Sequence, residues 1–279
     1  MKELLSAPAL AELRQFLQVD DEGASAATRG GRGSRRGGVL LAFDLDGTLA
    51  PLAARPDEAV VPDDVQHLLA VLSVRTVVAI ITGRAVRDAR RMLWFTPRYV
   101  IGSHGAEGLP DQDAAGQRYA ALCREWSREI AQSGVRERIP GTLLEDKVHS
   151  LALHYRLARD PEAARRALLE VIATLSPAPR VVEGKRVLNL VPREAHHKGE
   201  ALRTLVMHAG VDRALYIGDD ITDEDVFALR LPGVLTVRVE PDGDSAAQYY
   251  VKRQSDVPLL LREISRMMTA APGRVVGYS

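Results

Sequence analysis

The chain has 279 residues, 46% hydrophobic and 27% charged, and its 37 lysines and arginines balance its 37 aspartates and glutamates. That length allows one large domain or two modest ones with a sizeable core, and zero net charge excludes the basic excess of a dedicated nucleic-acid binder. A single cysteine, Cys123, rules out an intramolecular disulfide and fits a reducing compartment such as the cytoplasm, while apolar runs far short of the roughly 20 residues that span a bilayer exclude a membrane-crossing helix.

The first 17 residues, MKELLSAPALAELRQFL, mix charges among apolar residues and read as a short amphipathic helix, not as a signal peptide. Residues 20–38, DDEGASAATRGGRGSRRGG, hold no large apolar side chain to offset their ordering entropy. Residues 1–37 are therefore expected to be an N-terminal helix and a flexible linker. An arginine-glycine RNA-binding arm over 29–38 is the alternative for that tract.

Beyond it, apolar runs alternate with helical patterns. GVLLAF (38–43) predicts a buried strand, DDVQHLLAVLS (63–73) an amphipathic helix, TVVAII (76–81) a second strand, 85–93 a helix and RYVIG (98–102) a third strand. Strand and helix alternating at this spacing predict a parallel sheet with helical crossovers.

The middle follows other rules. After a helix over 114–132, HSLALHYR (149–156) alternates, with Leu151, Leu153 and Tyr155 on one face and Ser150, Ala152, His154 and Arg156 on the other. That pattern predicts an antiparallel sheet with one buried and one polar face. DPEAARRALLEVIATL (160–175) predicts a helix capped by Asp160 with Pro161 in its first turn, and RVVEGKRVLNLV (180–191) two strands meeting at a Glu-Gly-Lys turn. Residues 110–188 thus read as an α+β insert between two parts of an α/β core, 38–109 and 189–279.

The α/β pattern resumes with a helix over 197–209 closed by Gly210, a strand ALYIG (214–218), an acidic loop, a helix over 223–229, a strand LTVRV (235–239) and a closing helix over 257–268.

Three chemically loaded clusters stand at predicted strand ends, where ligands of open α/β sheets bind. In Asp44-Leu45-Asp46-Gly47-Thr48, strand alternation puts both carboxylates on one side with Leu45 in the core, and Gly47 permits a tight turn. Two such carboxylates can divide nucleophilic attack and proton transfer between them, and the spacing alone leaves them interchangeable. Thr82-Gly83-Arg84 offers a hydroxyl at a second strand end. The third cluster, Gly218-Asp219-Asp220-Ile221-Thr222-Asp223-Glu224-Asp225, crowds five carboxylates into seven positions. Like charges this close repel unless a cation sits among them, most simply Mg²⁺. Lys198, near a predicted helix start, becomes useful if a phosphate binds beside that metal.

These motifs in this order resemble those of the haloacid dehalogenase-like phosphatases. GDDITDEDVF (218–227), GSHGAE (102–107), EDKVHSLALHYR (145–156) and EGK (183–185) are similar to those of the trehalose-6-phosphate phosphatase family within them. The resemblance covers about 38–270. It implies a Rossmann-like parallel-sheet core with helices on both faces and an inserted α+β cap. It also implies Mg²⁺-dependent hydrolysis of trehalose 6-phosphate, a small-molecule sugar phosphate, through an aspartyl-phosphate. Asp44 would be the nucleophile and Asp46 the general acid and base. Thr82 and Lys198, with Leu45 and Gly83 beside them, would bind the phosphoryl group. Asp44, the Asp46 carbonyl and Asp219 would ligate the metal, supported by Asp220 and Asp223. Sugar contacts would come from Arg84, Glu145, Lys147, Arg156, Glu183 and Lys185, with His104 and Glu107 near the hinge.

The chain departs from the family at Thr82, where serine is usual, at His196-His197 before Lys198, and at Val191 before a proline. The alternatives are a phosphatase of the same superfamily acting on sucrose 6-phosphate, glucosylglycerol phosphate or mannosyl-3-phosphoglycerate, and a catalytically silent sugar-phosphate sensor. No nucleic-acid or membrane partner is expected, and the oligomeric state is left open, a monomer included.

Overall fold

Short β-branched and leucine-rich runs with no charge inside them suit strands of a sheet buried on both faces. In the computed structural model, which describes residues 1–18, 38–53, 58–111 and 113–269, every residue of β2 (Val39–Phe43) is buried. The predicted linker over 20–37 lies outside the described residues.

Among the described residues, seven strands form one sheet in the order β1-β11-β10-β9-β2-β3-β4. They are β1 (Lys2–Glu3), β2, β3 (Val77–Ile81), β4 (Tyr99–Ile101), β9 (Arg213–Gly218), β10 (Val234–Val239) and β11 (Tyr249–Val251). The pairings of β2 with β3 and β9, of β9 with β10, and of β11 with β10 and β1 are all parallel. β2 lies inside the sheet between β9 and β3, with Phe43 opposite Ile80 of β3 and Ile217 of β9. Helices α1 (Ala7–Leu17) and α2 (Asp63–Ser73) each pack on α9 (Val257–Thr269), and α7 (Lys198–Ala209) packs on α8 (Glu224–Phe227). The short helix α3 (Val86–Arg91) follows β3.

Four strands form a separate sheet in the order β5-β6-β8-β7: β5 (Leu143–Asp146), β6 (Leu151–His154), β7 (Arg180–Gly184) and β8 (Val187–Val191). All its pairings are antiparallel. One face, with Leu151, Leu153, Leu188 and Leu190, packs on α4 (Asp113–Gln132), α5 (Val135–Arg138) and α6 (Pro161–Ile172) through Trp126, Ile130, Val135 and Leu168.

The chain divides into two compact units. The first comprises Met1–Thr82, Arg87–Val100 and Lys198–Ser279, and the second Gly83–Val86 and Ile101–His197. The second is wider than 110–188 because 83–86 and 101–107 are hydrogen-bonded together within it.

Local chemistry explains where elements begin and end. Asp160 caps α6, its carboxylate accepting from the Ala163 amide at 3.0 Å, with Pro161 at the first position. Gly210 closes α7 at φ 65°. Elsewhere the structure corrects the sequence reading. Residues 1–17 begin with a two-residue strand at the sheet edge before the helix, too short to show a period. The predicted strand over 149–156 is only Leu151–His154, and the face expected to be polar is closed at one end, since Ser150 and Ala152 are fully buried. The β7–β8 turn is Lys185-Arg186, not Glu-Gly-Lys, with Arg186 taking the left-handed conformation. The helix predicted over 223–229 is a 3₁₀ turn, Ile221–Asp223, followed by the single turn of α8. Strands β5 and β11 were not anticipated.

Candidate active site

Because β2 and β9 are adjacent and parallel, their carboxyl ends open together, and both run into aspartates. Asp44 follows Phe43, with its amide donating to the Ile217 carbonyl at 2.9 Å. Asp46 pairs with Ala50 in a tight turn closed by the Gly47 amide to the Ala50 carbonyl and the Ala50 amide to the Leu45 carbonyl, each at 2.8 Å. Gly47 has φ +82°, and a Cβ there would lie 2.0 Å from Asp219 Oδ2. The glycine of the first cluster therefore makes room for the aspartate of the third. Thr48 completes the link, its hydroxyl donating to Asp219 Oδ1 at 2.8 Å.

Lys198, the first residue of α7, is 1% exposed. Its Nζ lies 2.8 Å from Asp223 Oδ1 and 3.1 Å from Asp44 Oδ2. Asp223 Oδ1 also accepts from the Tyr216 hydroxyl at 2.5 Å, and Oδ2 accepts the Asp219 and Asp220 amides, each at 2.9 Å. Four donors fill the acceptor sites of one carboxylate. Asp223 is thus an anchor for Lys198 and for the loop after β9.

Burial pushes Asp44 well above the usual carboxylate range, with Asp223 and Asp219 adding to the shift and Lys198 opposing it. Burial, then the charge of Asp223, pushes Asp219 up to about 7. Burial also disfavours the charge on Lys198, but Asp223 and Asp44 outweigh it and hold the ammonium above the ordinary lysine value.

Three carboxyl groups share one ammonium in a buried site, where ionising all of them needs a further positive charge beside them. Oxygens of Asp44, Asp219 and Asp223 lie within 4.8 Å of one another, and Asp44 Oδ1 is buried with no hydrogen-bond donor among the described residues. A hard divalent cation with oxygen ligands fits this donor set. With Asp223 saturated, Asp44 and Asp219 are the carboxylates open to it. Asp46 and Asp220 are not in this cluster, and Asp220 instead caps the 3₁₀ turn, accepting from the Ile221 amide at 2.8 Å. Thr82 is buried directly after β3, the neighbour of β2, while the Leu45 side chain is fully buried and leaves only its backbone for a ligand.

In the second unit, strand register sorts the remaining residues. Glu145, Ala152, Asn189 and Val182 are successive cross-strand partners and share a face. On it, His154 Nε2 lies 2.7 Å from Glu145 Oε2, an interaction that heads the causes holding the Glu145 carboxyl below its ordinary range. Lys147 Nζ donates to the Gly83 carbonyl at 3.2 Å and to Asn189 Oδ1 at 3.4 Å. Lys147 is presented by a strained turn in which Val148, a β-branched residue, has φ 71°. Arg156 reaches the Lys185 carbonyl at 3.5 Å. Glu183 is not on this face. It pairs with Leu188 in register, on the helix-packed side, and its carboxylate binds Arg165 of α6 at 2.5 and 3.0 Å. Arg84, His104 and Glu107 gather around the turn at 102–107.

Sequence reasoning missed Tyr216, the role of Thr48 within the first cluster, and Asn189. The first and last carried a signal: a hydroxyl or amide in an otherwise aliphatic buried strand must find a partner.

The model of the trehalose-phosphatase family matches residues 42–255, most of the chain. The chain belongs to the trehalose-phosphatase family. A Mycobacterium tuberculosis protein described as an uncharacterized glycosyl hydrolase is 36% identical over 233 residues, 77% of this chain and 17% of its own length. The trehalose-phosphate phosphatase of Mycobacterium ulcerans is 34% identical over 214 residues, 73% of this chain and 55% of its own length. The chain thus spans about a sixth to about half of these curated relatives. The solved C-terminal domain of C. albicans trehalose-6-phosphate phosphatase shares the fold, with TM-score 0.69, 22% identity, 98% of this chain and 100% of that one covered. The family membership bears out the resemblance read from the ordered motifs, and the parallel sheet with a separate antiparallel sheet bears out the expected fold class.

Proposed function

We propose that the chain is a Mg²⁺-dependent phosphomonoesterase that hydrolyses trehalose 6-phosphate to trehalose and phosphate. The observation that carries this reading is the buried meeting of Asp44, Asp219, Asp223 and Lys198 in a chain of this family.

In the proposed reaction an Asp44 oxygen attacks phosphorus while the bond from phosphorus to the sugar oxygen breaks. The leaving oxygen keeps the electron pair and takes the proton of the Asp46 carboxyl. Water then attacks the aspartyl-phosphate, gives a proton to Asp46, and the bond to Asp44 breaks with its electron pair returning to the carboxylate. Lys198, Thr82 and the backbone of Leu45 and Gly83 hold the phosphoryl oxygens, so an anionic nucleophile can approach an anionic substrate. Asp44, Asp219 and the Asp46 carbonyl would hold Mg²⁺, with Asp220 and Asp223 behind them, and the ion would supply the further positive charge that phosphoryl transfer requires. The second unit is the cap, and Glu145, Lys147 and Arg156 on its polar face are its foremost sugar contacts. A single buried cysteine suits a cytoplasmic enzyme.

The test is phosphate release from trehalose 6-phosphate, sucrose 6-phosphate, glucosylglycerol phosphate, mannosyl-3-phosphoglycerate and glucose 6-phosphate, with and without EDTA. Expected is kcat/KM on trehalose 6-phosphate about 100-fold above glucose 6-phosphate, lost with chelator and restored by Mg²⁺. Equal rates on all five would refute the sugar assignment. Release that is indifferent to chelator would refute the metal.

A further inference from the structure

Glu107 lies in a motif whose resemblance implies a sugar contact, yet its carboxylate is already engaged. Oε2 accepts from the Val86 amide at 2.9 Å and from the Ser103 hydroxyl at 3.4 Å. Oε1 faces His149 Nδ1 at 3.7 Å, with both side chains about four-fifths buried. The backbone of Glu107 forms a bridge with Gly102, whose amide donates to the Glu107 carbonyl at 2.9 Å.

The same turn grips the other end of the short segment Gly83–Val86. The Ser103 amide donates to the Arg84 carbonyl at 2.7 Å. The His104 ring lies against residue 83 so closely that a Cβ there would be 2.4 Å from its Cε1, which only glycine allows. Ser103 and His104 reach these positions through consecutive left-handed conformations, φ 51° and 59°. Non-glycine residues keep such conformations only where the surroundings over-determine them. Here the surroundings are the Gly102–Glu107 bridge and the Glu107 carboxylate.

Segment Gly83–Val86 continues from Thr82, so what fixes it also fixes the Gly83 backbone and restrains the peptide that leaves Thr82. We propose that Glu107 is a positioning residue for the phosphate-binding segment 82–83 and does not contact the sugar. It would act through the Val86 amide and through the turn that places His104 on Gly83, and this rests on the phosphatase reading above. The consequence is a particular substrate dependence. A residue that shapes the phosphate site affects every phosphomonoester alike, whereas a sugar ligand affects only the sugar substrate.

The experiment compares wild type, E107A, E107D and E107Q on trehalose 6-phosphate and on p-nitrophenyl phosphate, with inhibition by inorganic phosphate measured in parallel. E107A should lose about tenfold or more in kcat/KM by the same factor on both substrates, and phosphate inhibition should weaken in step. E107Q, whose amide oxygen can still accept from Val86, should recover most of the loss. If E107A does not fold, E107D carries the test, because shortening the side chain withdraws the carboxylate while keeping its charge. A loss confined to trehalose 6-phosphate, unaltered phosphate inhibition, or an E107Q as impaired as E107A would overturn the proposal. If wild type prefers another sugar phosphate, the functional reading falls, and comparing that substrate with p-nitrophenyl phosphate still decides the role of Glu107.

Discussion

The two sheets of this molecule carry their polar residues in opposite ways. The parallel sheet gathers aspartates at the ends of β2 and β9 into a buried point, where Lys198 and Asp223 are 1% and 0% exposed and every oxygen of Asp223 is used. The antiparallel sheet spreads Glu145, His154, Lys147 and Asn189 over one face in pairwise contacts, with the Glu145 side chain 41% exposed. Parallel strands share an end, so their loops converge and desolvate one another. Antiparallel strands alternate ends, and what they share is a face. The first arrangement concentrates charge and makes each member depend on the rest. The second distributes it and leaves each pair weakly coupled.

That contrast can be broken by measurement. Lys198→Met should be the most damaging change, because it leaves Asp44 and Asp223 buried without their cation. The expected cost is about 3–5 kcal/mol of unfolding free energy in urea titration, with phosphate release reduced at least about a thousandfold. A variant that unfolds at the wild-type midpoint would mean the buried charges are compensated elsewhere. Tyr216→Phe removes one hydroxyl from the same network and keeps the ring against Phe227, centroids 6.1 Å apart. It should cost about 1–2 kcal/mol, and a neutral result would show the network to be looser than its geometry.

The smallest effect belongs to the other sheet. His154 holds the Glu145 carboxyl below its ordinary value of 4.5. A depressed carboxyl stabilises the fold above the unfolded-state value, and that contribution disappears as pH falls through the folded-state value. In thermal melts from about pH 6 to pH 3.5, wild type should therefore lose about a degree or two more than His154→Ala, with the two curves converging at the acid end. Parallel curves would dismiss the pair as a source of stability.

The same contrast governs how much the sequence disclosed. Strand-end clusters are local in the chain, so Asp44, Asp46, Thr82 and Asp219 could be read beside the apolar runs that place them. The helix Asp63–Ser73 was legible at both ends from its apolar period. Asp160 declared its cap through the proline after it. A sheet face, by contrast, depends on register between distant strands. Glu183 could be placed on the helix-packed side only once Glu183 was paired with Leu188, because alternation within one strand fixes relative faces and not which face is covered. The left-handed pair Ser103-His104 left no local trace, since neither residue is one that favours positive φ strongly enough to announce it, and contacts far along the chain impose it.

The division of the chain into units has a practical corollary for anyone who would exchange parts between this chain and its relatives. The polypeptide crosses between the two units four times, after residues 82, 86, 100 and 197. A cassette cut at 101–197 would leave behind the Arg84 carbonyl and the Val86 amide that the Ser103 amide and the Glu107 carboxylate bind. Grafts between relatives therefore have to carry four residues from a second location, or accept a recipient whose segment 83–86 is tailored to a different donor.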